Sequence, residues 1–63
     1  MEPTYKIYVG EVGNELGHLV GATRSLRGAK QIAGRERNKY AGDGWSVIRG
    51  NDGTEIRAGR RNY

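Results

Sequence analysis

The chain has no cysteine and only one histidine, so neither a disulfide nor a multi-histidine metal site can stabilise the fold. No part of the sequence approaches the ~20 apolar residues that span a bilayer. The first ten residues, "MEPTYKIYVG", lack the basic and then apolar order of a secretory signal. We therefore expect a cytoplasmic protein with no metal, no cofactor and no membrane contact.

Sequence signatures of catalysis are also missing. There is no thiolate nucleophile and no GxxxxGK phosphate loop, and "GDGW" lacks the further glycine of a dinucleotide loop. Glu36, Asp43 and Asp52 carry carboxylates, but their spacing does not indicate an acid and base pair. We expect a protein that is not an enzyme.

The chain is short, and its 63 residues are predicted to form a single small domain over residues 1–63. Such a domain buries only about 60% of the surface that its unfolded chain exposes. At about 25 cal/mol per Å² of apolar burial, small cores nearly balance about 1.5 kcal/mol of conformational entropy per residue. A homodimer, which would bury more apolar surface, is therefore expected.

Positive charge is concentrated in the second part of the chain. Residues 1–23 contain one lysine and three glutamates (1 − 3 = −2), and residues 24–63 contain ten basic and four acidic residues (10 − 4 = +6), which sum to the net +4. Eight of the eleven cations are arginines, whose planar guanidinium suits phosphate and carboxylate. The composition favours an anionic partner.

The hydrophobic pattern predicts two strands, a helix and two more strands. "TYKIYVGEV" alternates over residues 4–12, "HLVGAT" follows over 18–23, and the pair is predicted to form a hairpin. Ser25 is the predicted N-cap of a helix over residues 26–40. Residues 45–60 form two alternating runs around Asp52 and Gly53, which predict a two-residue type I′ turn.

We therefore predict an α+β fold, β-β-α-β-β, with a four-stranded antiparallel sheet and one helix packed on one face. The sequence leaves the strand order open. The predicted core consists of Tyr5, Ile7, Val9, Leu19, Trp45, Val47, Ile56 and Ala58 from the sheet and Leu26, Ala29, Ile32, Ala33 and Tyr40 from the helix.

Two glycines lie inside the predicted helix, Gly28 and Gly34. Each costs about 1 kcal/mol of helix stability relative to alanine. Gly28 borders the apolar side, where it lets the sheet approach. Gly34 lies on the polar side, where it is either incidental or a point at which the backbone of a partner comes near.

The first functional hypothesis is binding of nucleic acid, DNA or RNA, sequence-independent or weakly specific, through basic side chains on phosphates. The candidate residues are Arg24, Arg27, Lys30, Arg35, Arg57, Arg60 and Arg61. The alternatives are that the helix cations are ordinary solvated surface, and that the C-terminal charges protect an edge strand from aggregation.

The second hypothesis is a non-enzymatic protein-protein interaction module. It would be a homodimer or a small inhibitor of a larger, acidic partner, such as an accessory protein of a phage or mobile element. The second face of the sheet is predicted to carry Lys6, Tyr8, His18, Val20, Ala22, Ser46, Ile48, Glu55 and Arg57. Tyr8, Val20 and Ile48 are the predicted interface, although the same face also suits stacking of bases.

Overall fold

Four strands and one helix follow one another in the predicted order. In a computed structural model that describes residues 3–11, 13, 16–40 and 43–59, the elements are β1 (Tyr5–Glu11), β2 (His18–Thr23), α1 (Leu26–Arg37), β3 (Gly44–Gly50) and β4 (Glu55–Gly59). The sheet is antiparallel with the order β2-β1-β3-β4. The predicted α+β fold is confirmed, and the two hairpins join through β1 and β3.

The helix begins where the sequence predicts. The hydroxyl of Ser25 accepts a hydrogen bond from the backbone N–H of Gly28 at 3.1 Å, which satisfies one of the unpaired amides of the first turn. A 3-10 turn, Asn38–Tyr40, continues α1. The two together cover the predicted helical range.

The core lies between α1 and the three strands β1, β2 and β3, over which the helix packs. Ile7, Val9 and Ile48 are buried there against Ala29 and Ala33. The small alanine side chains let the helix axis come close to the sheet. Around this centre lie Tyr5, which is also buried, and the partly buried Val20, Leu26, Ile32, Tyr40 and Ile56.

The predicted register of the β3–β4 hairpin is wrong by one residue. Gly50 donates its N–H to the carbonyl of Thr54 at 2.8 Å, and Arg49 pairs with Glu55. The loop therefore has three residues, ending at Gly53 with φ of 95°, as in a type I turn followed by a left-handed residue.

This shift moves the hydrophobic side chains of β3 to the opposite faces, because side chains alternate along a strand. Ile48 pairs with Ile56 and with Ile7, so it lies in the core rather than on the second face. Trp45 and Val47 lie on the face away from α1, which corrects their predicted place beneath the helix.

A β-bulge in the β1–β2 hairpin corrects a second set of predicted positions. Ile7 pairs with Gly21 and Tyr8 with Leu19, so Val20 is the extra residue. Val20 packs on the core, whereas Leu19, predicted to be buried, is 54% exposed on the other face. His18 pairs with Val9 and therefore lies on the helix side of the sheet.

The face of the sheet away from α1 is called the open face below. The register places on it Lys6, Tyr8, Leu19, Ala22, Trp45, Val47, Arg49, Glu55 and Arg57. Trp45 is nevertheless only 3% exposed. Its strand neighbours are Gly10 and Gly59, its indole N–H donates to the carbonyl of Glu11 at 3.1 Å, and its ring packs close to Gly17.

Candidate nucleic-acid interface

The side of α1 that points away from the sheet consists of basic, amide and glycine residues and contains no acidic residue. With about 100° of rotation per residue, this outward face comprises Arg27, Lys30, Gln31, Gly34 and Arg35 of α1, together with Asn38, the C-cap residue that begins the 3-10 turn. All five side chains are exposed. The face therefore carries three cations and no carboxylate, with neutral residues between them.

The one carboxylate of α1 is directed away from this surface. Glu36 is half-buried toward the sheet side and receives Lys39 Nζ at 3.1 Å and Arg35 Nε at 3.8 Å. The Arg35 side chain is 69% exposed, so this long contact contributes little and leaves its guanidinium accessible. For Arg27 and Lys30, the described part of the chain offers no carboxylate within ion-pair distance.

The two helix glycines differ in what surrounds them. A Cβ on Gly28 would lie 3.4 Å from the hydroxyl of Thr23, so Gly28 is where α1 passes close to the end of β2. A Cβ on Gly34 would meet nothing within 4 Å. A glycine lowers helix stability, and the packing of the described residues does not explain why one occurs at position 34.

The seven cations predicted to contact phosphates do not form one surface. Arg27, Lys30 and Arg35 share the outward face of α1, and Arg24 lies in the turn before the helix. Arg57 lies on the open face, on the other side of the sheet, where its guanidinium bonds Glu55 at 2.7 Å. Arg60 and Arg61 fall outside the described residues.

The predicted interface of Tyr8, Val20 and Ile48 is also divided. Tyr8 is half-buried on the open face, with the guanidinium of Arg49 5.9 Å from the centre of its ring. Val20 packs on the core beside α1, and Ile48 is 2% exposed there. Val20 and Ile48 are thus corrected from surface positions to core positions, because of the bulge and of the hairpin register.

A shallow groove of about 230 Å³ lies between α1 and β4. Ile48, Ile56 and Ala58 contribute its floor. Arg37 contributes a basic group, and so does Lys30, which stands at the edge between the outward face and this groove. Arg37 Nη1 donates to the hydroxyl of Ser46 at 2.9 Å. No sequence pattern indicates this bond, because Ser46 is predicted on the other face of the sheet.

Among the described residues, no three histidine, cysteine or carboxylate side chains cluster as metal ligands. None of the described helices is long and apolar enough to cross a membrane. No protein family, curated protein or solved structure matches this chain. The function has to be inferred from the surface of the molecule.

Proposed function

We propose that the protein is a small nucleic-acid-binding protein that contacts phosphates through the outward face of α1. The observation that carries the proposal is the arrangement of Arg27, Lys30 and Arg35 on one exposed helix face that contains no carboxylate. Phosphate contacts release condensed counterions, which supplies most of the affinity of sequence-independent binding. The open face contributes less, because Glu55 pairs with both Arg49 and Arg57.

The proposal predicts a defined dependence on salt. If Arg24, Arg27, Lys30 and Arg35 each neutralise one phosphate, log affinity falls with log salt with a slope of about −3.6 on duplex DNA. The measurement is fluorescence anisotropy with a labelled duplex of mixed sequence, between about 50 and 200 mM salt. A slope near zero would contradict it.

A matched pair of double variants separates this surface from the general effect of net charge. Lys30→Gln with Arg35→Gln removes two cations from the outward face, and Lys6→Gln with Arg57→Gln removes two from the open face. The outward-face double variant is expected to make the slope about 2 less negative, and the open-face double variant is expected to leave it nearly unchanged. Equal losses would mean that the outward face is not the interface.

A protein contact on the open face is a second proposal, on different residues from those predicted. Leu16 is 90% exposed and Leu19 is 54% exposed, and Leu19 pairs with the half-buried Tyr8. Apolar surface that stays exposed on a sheet face can mark an interaction site. Sedimentation of the wild type and of Leu19→Ser tests a homodimer at this site, and a wild-type monomer at high concentration would exclude it.

A further inference from the structure

Gly34 lies in the middle of the outward face, where the fold gives no reason for a glycine. Its missing side chain opens space that no described part of the chain fills. A glycine in a helix interior is less favourable than alanine. A glycine does, however, let another molecule come close to the helix backbone.

The other residues of this face are ordered around Gly34. With about 100° per residue, Arg27, Gln31, Gly34 and Asn38 form the central ridge, and Lys30 and Arg35 lie roughly 70° to either side of it. Glutamine and asparagine are side chains that bind base edges in the major groove. The flanking cations are placed for the phosphates on the two walls of a groove.

The size of the helix agrees with this arrangement. An α-helix with its side chains is about 10–12 Å wide, and the major groove of B-form DNA is about 12 Å wide. From Arg27 to Asn38 the face is about 17 Å long, which corresponds to about five base pairs. The major groove of an RNA duplex is too narrow to admit such a helix.

We infer that the outward face of α1 enters the major groove of double-stranded B-form DNA, with Gly34 at the point of closest approach. This inference rests on the nucleic-acid function proposed above and specifies its ligand. Lys30 and Arg35 bind phosphates on opposite strands. Gln31 and Asn38 contact base edges and confer a preference for some sequences.

The first test compares three labelled probes of one sequence at the same salt concentration: duplex DNA, duplex RNA and single-stranded DNA. We expect the protein to bind the DNA duplex at least tenfold more tightly than the RNA duplex. Equal affinity for both duplexes, or tightest binding to the single strand, would overturn the inference. The proposed function would still stand if the Lys30 and Arg35 double variant lost affinity for every probe.

The second test places a side chain at the point of closest approach. Gly34→Leu is expected to retain or raise the thermal midpoint, since leucine favours helices, and to lose at least tenfold in affinity for duplex DNA. Ala22→Leu adds similar bulk on the open face and should leave binding unchanged. Gly34→Ala serves the same purpose if the leucine variant does not fold, with a smaller expected loss. Unchanged binding by folded position-34 variants would overturn the inference.

The third test addresses the base contacts. Selection from random duplexes is expected to yield a preferred site of about five base pairs. Gln31→Ala is expected to reduce the discrimination between that site and random DNA about fivefold or more, with the salt slope unchanged. A Gln31→Ala variant that keeps full discrimination would contradict a role of this side chain in reading bases.

Discussion

Ser46 places a hydroxyl group in an almost fully buried position on the helix side of the sheet. It is 1% exposed, and its oxygen accepts a hydrogen bond from Arg37 Nη1. The two members of this bond differ in solvent access, because Arg37 is only half-buried. Loss of one partner is therefore not equivalent to loss of the other.

Replacement of Arg37 by methionine is expected to destabilise the protein more than replacement of Ser46 by alanine. Arg37→Met leaves a buried hydroxyl without its partner, which costs about 1–3 kcal/mol, whereas Ser46→Ala removes the bond itself, about 1 kcal/mol. Urea denaturation of both single variants and of the double variant measures the difference. If the loss of unfolding free energy in the double variant equalled the sum of the losses in the two single variants, Arg37 and Ser46 would contribute independently, which would contradict this account.

Asp52 in the β3–β4 loop makes a pH-dependent contribution. Hydrogen bonds from the side chain and the backbone N–H of Thr54, the latter at 3.0 Å, lower the pKa of this carboxyl below its ordinary value of 3.8. A lowered folded-state pKa adds stability that is present above the unfolded value and disappears as pH falls through the folded value. Because Asp52 is exposed, the lowered pKa comes from the local hydrogen bonds of the loop and not from burial.

We therefore expect the difference in unfolding free energy between wild type and Asp52→Asn to be constant near neutral pH and to shrink below about pH 4. Chemical denaturation at several pH values measures it. A difference that grows on acidification would contradict the sign of this linkage.

At the scale of elements, two glycines with free space around them respond oppositely to the same substitution. Gly53 closes the β3–β4 loop at φ of 95°, a left-handed conformation that costs other residues about 1–2 kcal/mol. Gly34 lies in regular helix. Gly53→Ala is expected to destabilise by about that amount and Gly34→Ala to stabilise by up to about 1 kcal/mol, as measured by thermal unfolding. Changes of the same sign would refute this account.

The sequence predicts the elements better than their register. Strand alternation, the Ser25 cap and the helical spacing lie within short stretches, and each is decided by local chemistry. The β3–β4 register depends on whether the loop has two or three residues, and either choice brings apolar side chains opposite each other. Helical spacing places Arg27, Gln31, Arg35 and Asn38 opposite the core, but it puts Lys30 beside the edge of the apolar side and predicts no single stripe of cations on the outward face. The separation of Arg57 from it, and the bulge at Val20, depend on strand pairing.

At the scale of the whole molecule, one helix covers three of four strands. α1 packs over β1, β2 and β3, and β4 lies at the edge of the sheet, with most of its side chains exposed. Elements with little buried surface open at lower free energy than the centre of a domain. The sheet is therefore not uniformly stable.

Hydrogen exchange is expected to show this gradient. Amides of β1 and β3 that pair with each other should exchange only by global unfolding, and those of β4 should exchange faster by local opening. Exchange followed by NMR at several denaturant concentrations distinguishes the two. Equal protection of β3 and β4 would instead indicate that something covers β4 in solution, such as a second copy of the chain.

The enclosed position of Trp45 gives the protein an internal optical probe. It is the only tryptophan of the chain, its ring packs close to Gly17, and it lies on the side of the sheet opposite α1. Its emission should be shifted to short wavelength in the native state and move to longer wavelength on unfolding. Binding at the helix should leave it unchanged, so loss of binding and loss of structure in a variant can be told apart in a single sample.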